Sequence, residues 1–167
     1  LGSNETTLLK LTNAYCTFAN GGKKITPILI NRIQNRRGKT IYNSETRICE
    51  GCNVVKDDEG FFPIILDKYK QVISEQTAYQ ITSMLEGVIK RGTGKKLKNL
   101  NVPLAGKTGT TNEYLDAWFI GFTSDLAIGV YIGYDTPKSL GKFETGSKVA
   151  LPIFKKFVES AIYKEDM

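Results

Sequence analysis

The chain has 167 residues, long enough for one domain with a substantial core, and its 41% hydrophobic and 24% charged residues are those of an ordinary globular protein. It contains no histidine, which excludes Ser-His-Asp and Cys-His nucleophilic machinery and the commonest zinc ligand; lysine, carboxylates, tyrosine and cysteine are left for proton transfer. Lys plus Arg exceed Asp plus Glu by 23 to 17, a formal charge of +6, but the charges are scattered in small clusters (Arg36-Arg37-Gly38-Lys39, Lys95-Lys96-Leu97-Lys98) that read as solvated turns, and no nucleic-acid partner is expected.

The first predicted element is a helix over 5–20, where Leu8, Leu11, Tyr15 and Phe18 recur at helical spacing and Leu9, Ala14 and Ala19 widen the stripe. Gly21-Gly22 stops it. Residues 24–70 read as a hairpin followed by an excursion. Lys24 to Ile33 is expected as a strand with Pro27 marking an edge or a start, Asn35-Arg36-Arg37-Gly38 as the turn, and Thr40-Ile41-Tyr42 as the return strand. From Asn43 to Asp67 no period is sustained. A second helix is expected over 74–91, with Ser74 as N-cap, Glu75 in the first turn, and Ala78, Ile81, Met84, Leu85, Val88 and Ile89 as its apolar positions. Gly92-Thr93-Gly94 ends it. Three strands follow within 102–134: Val102 to Thr110, Ala117 to Phe122, and Leu126 to Tyr134. The last has apolar or small residues on both faces, as a central strand does. A loop from Thr136 to Ser147 leads to a final helix over 152–163, with Pro152 in its first turn and Ile153, Phe154, Phe157, Val158, Ala161 and Ile162 on its apolar face. This order predicts an α+β fold, an antiparallel sheet with helices packed on it.

Cys49 and Cys52 form Cys-Glu-Gly-Cys in a polar, turn-like segment. Zinc needs a second ligand pair that the chain does not supply, and a thioredoxin-type motif belongs at a helix start after a strand. A local disulfide is the preferred reading, with reduced thiols the alternative; a disulfide implies an oxidising compartment. Cys16, on the stripe of the first helix, reads as core. No metal or cofactor is expected. No apolar run has the length of a membrane helix, no signal peptide is present, and residue 1 is Leu, so the chain is expected to be a fragment with its targeting signals upstream.

Chemistry concentrates in Ala105-Gly106-Lys107-Thr108-Gly109-Thr110-Thr111. On a strand, Lys107 and Gly109 share a face, and the glycine leaves space for a ligand against the backbone. The Thr108 and Thr110 hydroxyls suit a carboxylate, the Lys107 ammonium adds positive field, and a free strand edge suits an extended peptide. Two bland readings stand beside this one. One is a structural turn. The other is a phosphate-binding loop, which would need glycine where Asn101 stands.

Gly106-Lys107-Thr108-Gly109-Thr110-Thr111, with Asp116-Ala117-Trp118-Phe119-Ile120-Gly121 after it, resembles the C-terminal part of penicillin-binding protein transpeptidase domains, whose motifs include Lys-Thr-Gly. Asn13-Ala14-Tyr15, Phe18-Ala19-Asn20-Gly21-Gly22, Thr77-Ala78-Tyr79, Arg91-Gly92-Thr93-Gly94 and Ser139-Leu140-Gly141 extend the likeness over nearly the whole chain, and the bifunctional class A group is the most similar. The resemblance implies a serine acyl-transfer enzyme at the periplasmic face of the bacterial inner membrane. Such enzymes act on peptidoglycan stem peptides ending in D-Ala-D-Ala, and β-lactam antibiotics acylate them. It implies that Lys107 belongs to the active-site polar network and that Thr108 and Thr110 bind the carboxylate. The Thr110 N–H would form half of an oxyanion hole.

The departures are specific. No Ser-x-Asn occurs, and the one Ser-x-x-Lys, Ser139-Leu140-Gly141-Lys142, follows Lys-Thr-Gly and sits among loop residues, so it is read as coincidence. Asp116 and Trp118 read as structural. The nucleophile is therefore expected from an upstream half of the domain. The chain alone is expected to be inactive and to expose apolar surface meant for that half, with self-association as the consequence. The alternative reading is a non-catalytic cell-wall or carboxylate-peptide binding module.

Overall fold

The computed structural model describes residues 5–44, 47–52, 62–66 and 69–162. They fall into two compact units, Leu1–Ile25 with Gln71–Met167, and Thr26–Lys70.

In the larger unit, helix α1 spans Leu8–Ala19, opened by the Thr7 hydroxyl accepting from the Lys10 N–H. Its core stripe is narrower than the spacing suggests: Tyr15 is buried and Leu11 and Phe18 pack beside it, while Leu9, Ala14 and Ala19 are exposed. Cys16 is half-buried and carries a free thiol, with burial pushing its pKa up. Gly22 closes the helix with a φ of 88°, and a Cβ there would strike the Ile73 carbonyl. The Gly22 carbonyl accepts from the N–H groups of Val72 and Ile73, which ties the start of the second segment to the end of α1.

The smaller unit is two hairpins. β1 (Arg32–Gln34) pairs antiparallel with β2 (Thr40–Asn43), Ile33 opposite Tyr42. Asn35 Oδ1 accepts from the N–H groups of Arg37 and Lys39, and Gly38 takes a φ of 76°, so the turn read from Asn35 to Gly38 has a side-chain cause. The strand expected from Lys24 is corrected to three residues, since Pro27 donates no hydrogen bond and β2 pairs only as far back as Arg32. The excursion is not wholly irregular either. β3 (Ile48–Glu50) and β4 (Ile64–Leu66) pair antiparallel, in strands too short to display a period. Cys49 and Cys52 are joined as a disulfide, their Cα atoms 5.6 Å apart.

α2 (Glu75–Arg91) begins where Ser74 Oγ accepts from the Thr77 N–H and turns Ala78 and Ile89 inward; Met84, counted among its apolar positions, is exposed. The sheet of this unit has the order β5 (Ala105–Thr110), β6 (Ala117–Phe122), β7 (Ala127–Ile132), antiparallel throughout. β6 is central. Among the described residues β7 pairs with β6 alone, and its small and apolar residues are explained by cover on both faces. A Cβ at Gly129 would meet Leu8 and Thr12 of α1, while Ile128, Val130 and Ile132 pack against the cluster of Phe119 and Phe154. Helical structure resumes earlier than the 152 boundary, as a π turn over Gly146–Ala150 running directly into α3 (Leu151–Ile162). Its buried face is Ala150, Leu151, Phe154 and Val158; Ile153 and Phe157 are half exposed, so the stripe is again narrower than its sequence. Phe154 and Phe119 are completely buried and meet edge to face with ring centroids 4.7 Å apart.

Candidate active site on strand β5

Register fixes what each residue of the Lys-Thr-Gly strand can do. Residues directly opposite in adjacent strands share a face. Ala105, Lys107 and Gly109 therefore lie on the face of Phe122, Ile120 and Trp118, over which α1 packs through Tyr15. Gly106, Thr108 and Thr110 lie on the other face, with Gly121, Phe119 and Ala117, toward α3. The lysine and the two threonine side chains thus belong to opposite faces of the sheet. They converge only at the strand edge.

That edge is open: among the described residues β5 pairs with β6 alone. Just past the strand, the Thr111 N–H donates to the Asp116 carbonyl at 3.1 Å, which makes Thr111 and Asp116 a hydrogen-bonded pair. Antiparallel pairing alternates, so the main-chain N–H and C=O groups of Thr110 and Thr108 point away from β6 and into the open edge. The Lys107 ammonium donates to the Thr108 carbonyl at 2.8 Å, bringing its charge around to the same edge. The Thr110 N–H and the Lys107 ammonium therefore meet along one strip of backbone, with the Thr108 and Thr110 side chains beside it on the α3 face.

Both hydroxyls are held by the fold. Thr110 Oγ1 accepts from the Gly146 N–H at 3.0 Å, and Thr108, 9% exposed, has its hydroxyl 2.9 Å from that of Thr93. Gly109 is buried, and on the α3 side a Cβ on Gly146 would lie 2.6 Å from its carbonyl oxygen, so the two backbones pack closely there. Neither Thr93 nor Gly146 was picked out as a site residue from sequence. Thr93 reads there as part of a helix stop and Gly146 as part of a loop, and no local pattern links either to the strand.

The turn after β5 is strained and well tied. Glu113 and Tyr114 have φ values of 59° and 57°, unusual for residues with side chains. Ser139 Oγ donates to the Glu113 carbonyl and the Leu140 N–H to the Tyr114 carbonyl. Ser139 therefore serves to hold this turn, in a loop, as its reading as a coincidental Ser-x-x-Lys requires. Asp116 has a structural role too: its N–H donates to Thr111 Oγ1 at 2.7 Å and its carboxylate accepts from the Tyr131 hydroxyl at 2.8 Å. That hydrogen bond is the main cause raising the Tyr131 pKa, and Tyr131 also packs on Trp118 with ring centroids 4.6 Å apart.

The family model for the penicillin-binding protein transpeptidase domain matches residues 2–159. Penicillin-binding protein 1A of Rickettsia prowazekii is 49% identical over 168 residues, covering 99% of this chain and 21% of that protein. The protein of the same name from Pseudomonas aeruginosa is 34% identical, covering 100% of this chain and 24% of its own length. Among solved structures, penicillin-binding protein 1A from Haemophilus influenzae superposes with a TM-score of 0.75 at 29% identity, over 96% of this chain and 28% of that one. The chain thus spans about a fifth to a quarter of the length of these curated relatives. Its sheet, its flanking helices and its Lys-Thr-Gly strand place it in the penicillin-binding protein transpeptidase family, as a C-terminal part of that domain in the class A group.

Proposed function

We propose that this chain is the carboxylate-binding and oxyanion-stabilising wall of a peptidoglycan D,D-transpeptidase whose serine nucleophile lies in a preceding segment. The observation that carries the reading is the direction of the Thr110 N–H, aimed into an open strand edge beside the Lys107 ammonium and two internally held threonine hydroxyls. A stem peptide ending in D-Ala-D-Ala lies along that edge with its terminal carboxylate on Thr108 and Thr110. The serine oxygen attacks the penultimate carbonyl, and the carbonyl oxygen takes negative charge facing the Thr110 N–H. The C–N bond then breaks, D-alanine leaves with a proton, and the acyl group passes to an amine of a neighbouring stem. A β-lactam carries a carboxylate and a strained amide in the same relation and stops at the acyl-enzyme. Removing one oxyanion donor of this kind costs roughly 3 kcal/mol in the barrier.

Peptidoglycan substrates place the working protein at the periplasmic face of the inner membrane, a compartment in which the Cys49–Cys52 disulfide persists. Among the described residues no helix is long and apolar enough to cross a membrane. Among the described residues one side of β7 has no strand partner, and the remaining half of the domain is the expected cover there. A fluorescent penicillin tests the reading. The protein carrying its upstream segment is expected to be labelled covalently and the isolated chain is not. Absence of labelling in the longer protein would favour the non-catalytic carboxylate-binding module.

A further inference from the structure

We propose that Thr93, in the turn after α2, is a positioning residue for the ligand carboxylate: its hydroxyl donates to Thr108 Oγ1 and so turns the single Thr108 proton toward the ligand. The proposal rests on the reading of β5 as the carboxylate strand and adds to it a residue from a different element.

The argument starts from the donor count of a hydroxyl. Threonine has one proton to give and lone pairs to accept with, whereas a carboxylate only accepts. A threonine that binds a carboxylate must keep its proton free, and the surest way is to fill its acceptor side with another donor. Thr110 already shows this arrangement, since the Gly146 N–H donates to its oxygen at 3.0 Å. Thr108 stands two residues earlier on the same face and, among the described residues, has no main-chain N–H in that role. Its hydroxyl contact is Thr93 Oγ1, at 2.9 Å. With a carboxylate at the edge, one direction of that pair puts both threonines of the strand in the same state: Thr93 gives, Thr108 accepts and passes its own proton on. Hydrogen bonds in such a chain polarise one another, which strengthens the terminal one.

Thr93 is also held as a positioning residue must be. The N–H groups of Gly92 and Gly94 both donate to the Val88 carbonyl at 3.0 Å. A Cβ on Gly92 would lie 2.9 Å from Val88 Cα, and one on Gly94 2.7 Å from Ile89 Cδ1, so the turn is packed onto the end of α2 on either side of Thr93. Leu97, 1% exposed, anchors the short helix that follows. Thr93 itself is exposed, and its role is not explained by core packing.

The test uses the intact protein, nucleophile included, and measures second-order acylation by a β-lactam acid and by its neutral methyl ester. Thr93→Val keeps the shape and removes the donor; Thr93→Ser restores it. Thr93→Val is expected to slow acylation by the acid about 10-fold while the ester changes less than about 2-fold, and Thr93→Ser should stay near wild type with the acid. Equal slowing with acid and ester, or no slowing with either, overturns the role of Thr93. A wild-type protein that does not distinguish acid from ester instead overturns the carboxylate reading of β5 and this proposal with it.

Discussion

The N–H of Gly146 donates to Thr110 Oγ1 across 36 residues of sequence, tying the π turn before α3 to the last residue of the Lys-Thr-Gly strand. The approach is close enough that a Cβ on Gly146 would strike the Trp118 carbonyl and lie 2.6 Å from that of Gly109. Gly146→Ala must therefore lift the start of the helix off the sheet. A loss of about 1–3 kcal/mol in urea unfolding is expected, the usual cost of forcing an extra carbon into a packed site. In the intact protein, penicillin acylation should fall as well, because the Thr110 hydroxyl loses its internal donor.

The core on the α3 side should be far more sensitive than its rim. Phe154 is completely buried against Phe119, and Phe157 is half exposed on the same helix. Phe154→Ala should cost about 3–5 kcal/mol by denaturant unfolding and Phe157→Ala much less. Similar losses at both positions would contradict the packing described.

These contrasts show what the sequence carried and what it did not. α2 was legible because its signals are local: Ser74 caps it, Glu75 meets its dipole, and Ala78 and Ile89 sit at helical spacing. β5 to β7 were legible as strands for the same kind of reason. The order of the strands was not, since a strand covered by α1 on one face and the α3 cluster on the other has the same composition at the edge or in the middle of a sheet. β3 and β4 are three residues each and leave no period to read. The Lys-Thr-Gly strand stood out as a motif. Its partners Thr93 and Gly146 did not, because the contacts that give them meaning span 15 and 36 residues and exist only once α2 and the π turn are docked on the sheet.

Tyrosine 131 gives a pH signature. Its hydrogen bond to the Asp116 carboxylate requires the protonated phenol, and this raises its pKa in the folded protein above the ordinary value of 10.0. The folded state therefore holds that proton more tightly than the unfolded chain. The associated stability is fully present below the unfolded pKa and is lost as pH rises from there through the folded value. Urea midpoints measured from pH 8 to 11 should fall less steeply for Tyr131→Phe than for wild type, the difference appearing only at the alkaline end. Parallel curves would contradict the pairing.

The disulfide makes a count testable. Three cysteines are present and Cys49 is joined to Cys52, which leaves Cys16 as the free thiol. Alkylation of the unfolded, unreduced chain should modify one cysteine by mass spectrometry, and prior reduction should raise this to three. Three without reduction would mean that the pair is open.

The most direct test of the central claim is the second-order rate constant for penicillin acylation of the intact protein, compared between wild type and Lys107→Ala with matched melting curves. If β5 is the wall of the acyl-transfer site, the rate should fall by at least about 100-fold, as expected for loss of a charge aimed at the reacting centre. An unchanged rate in a folded Lys107→Ala protein would contradict the account.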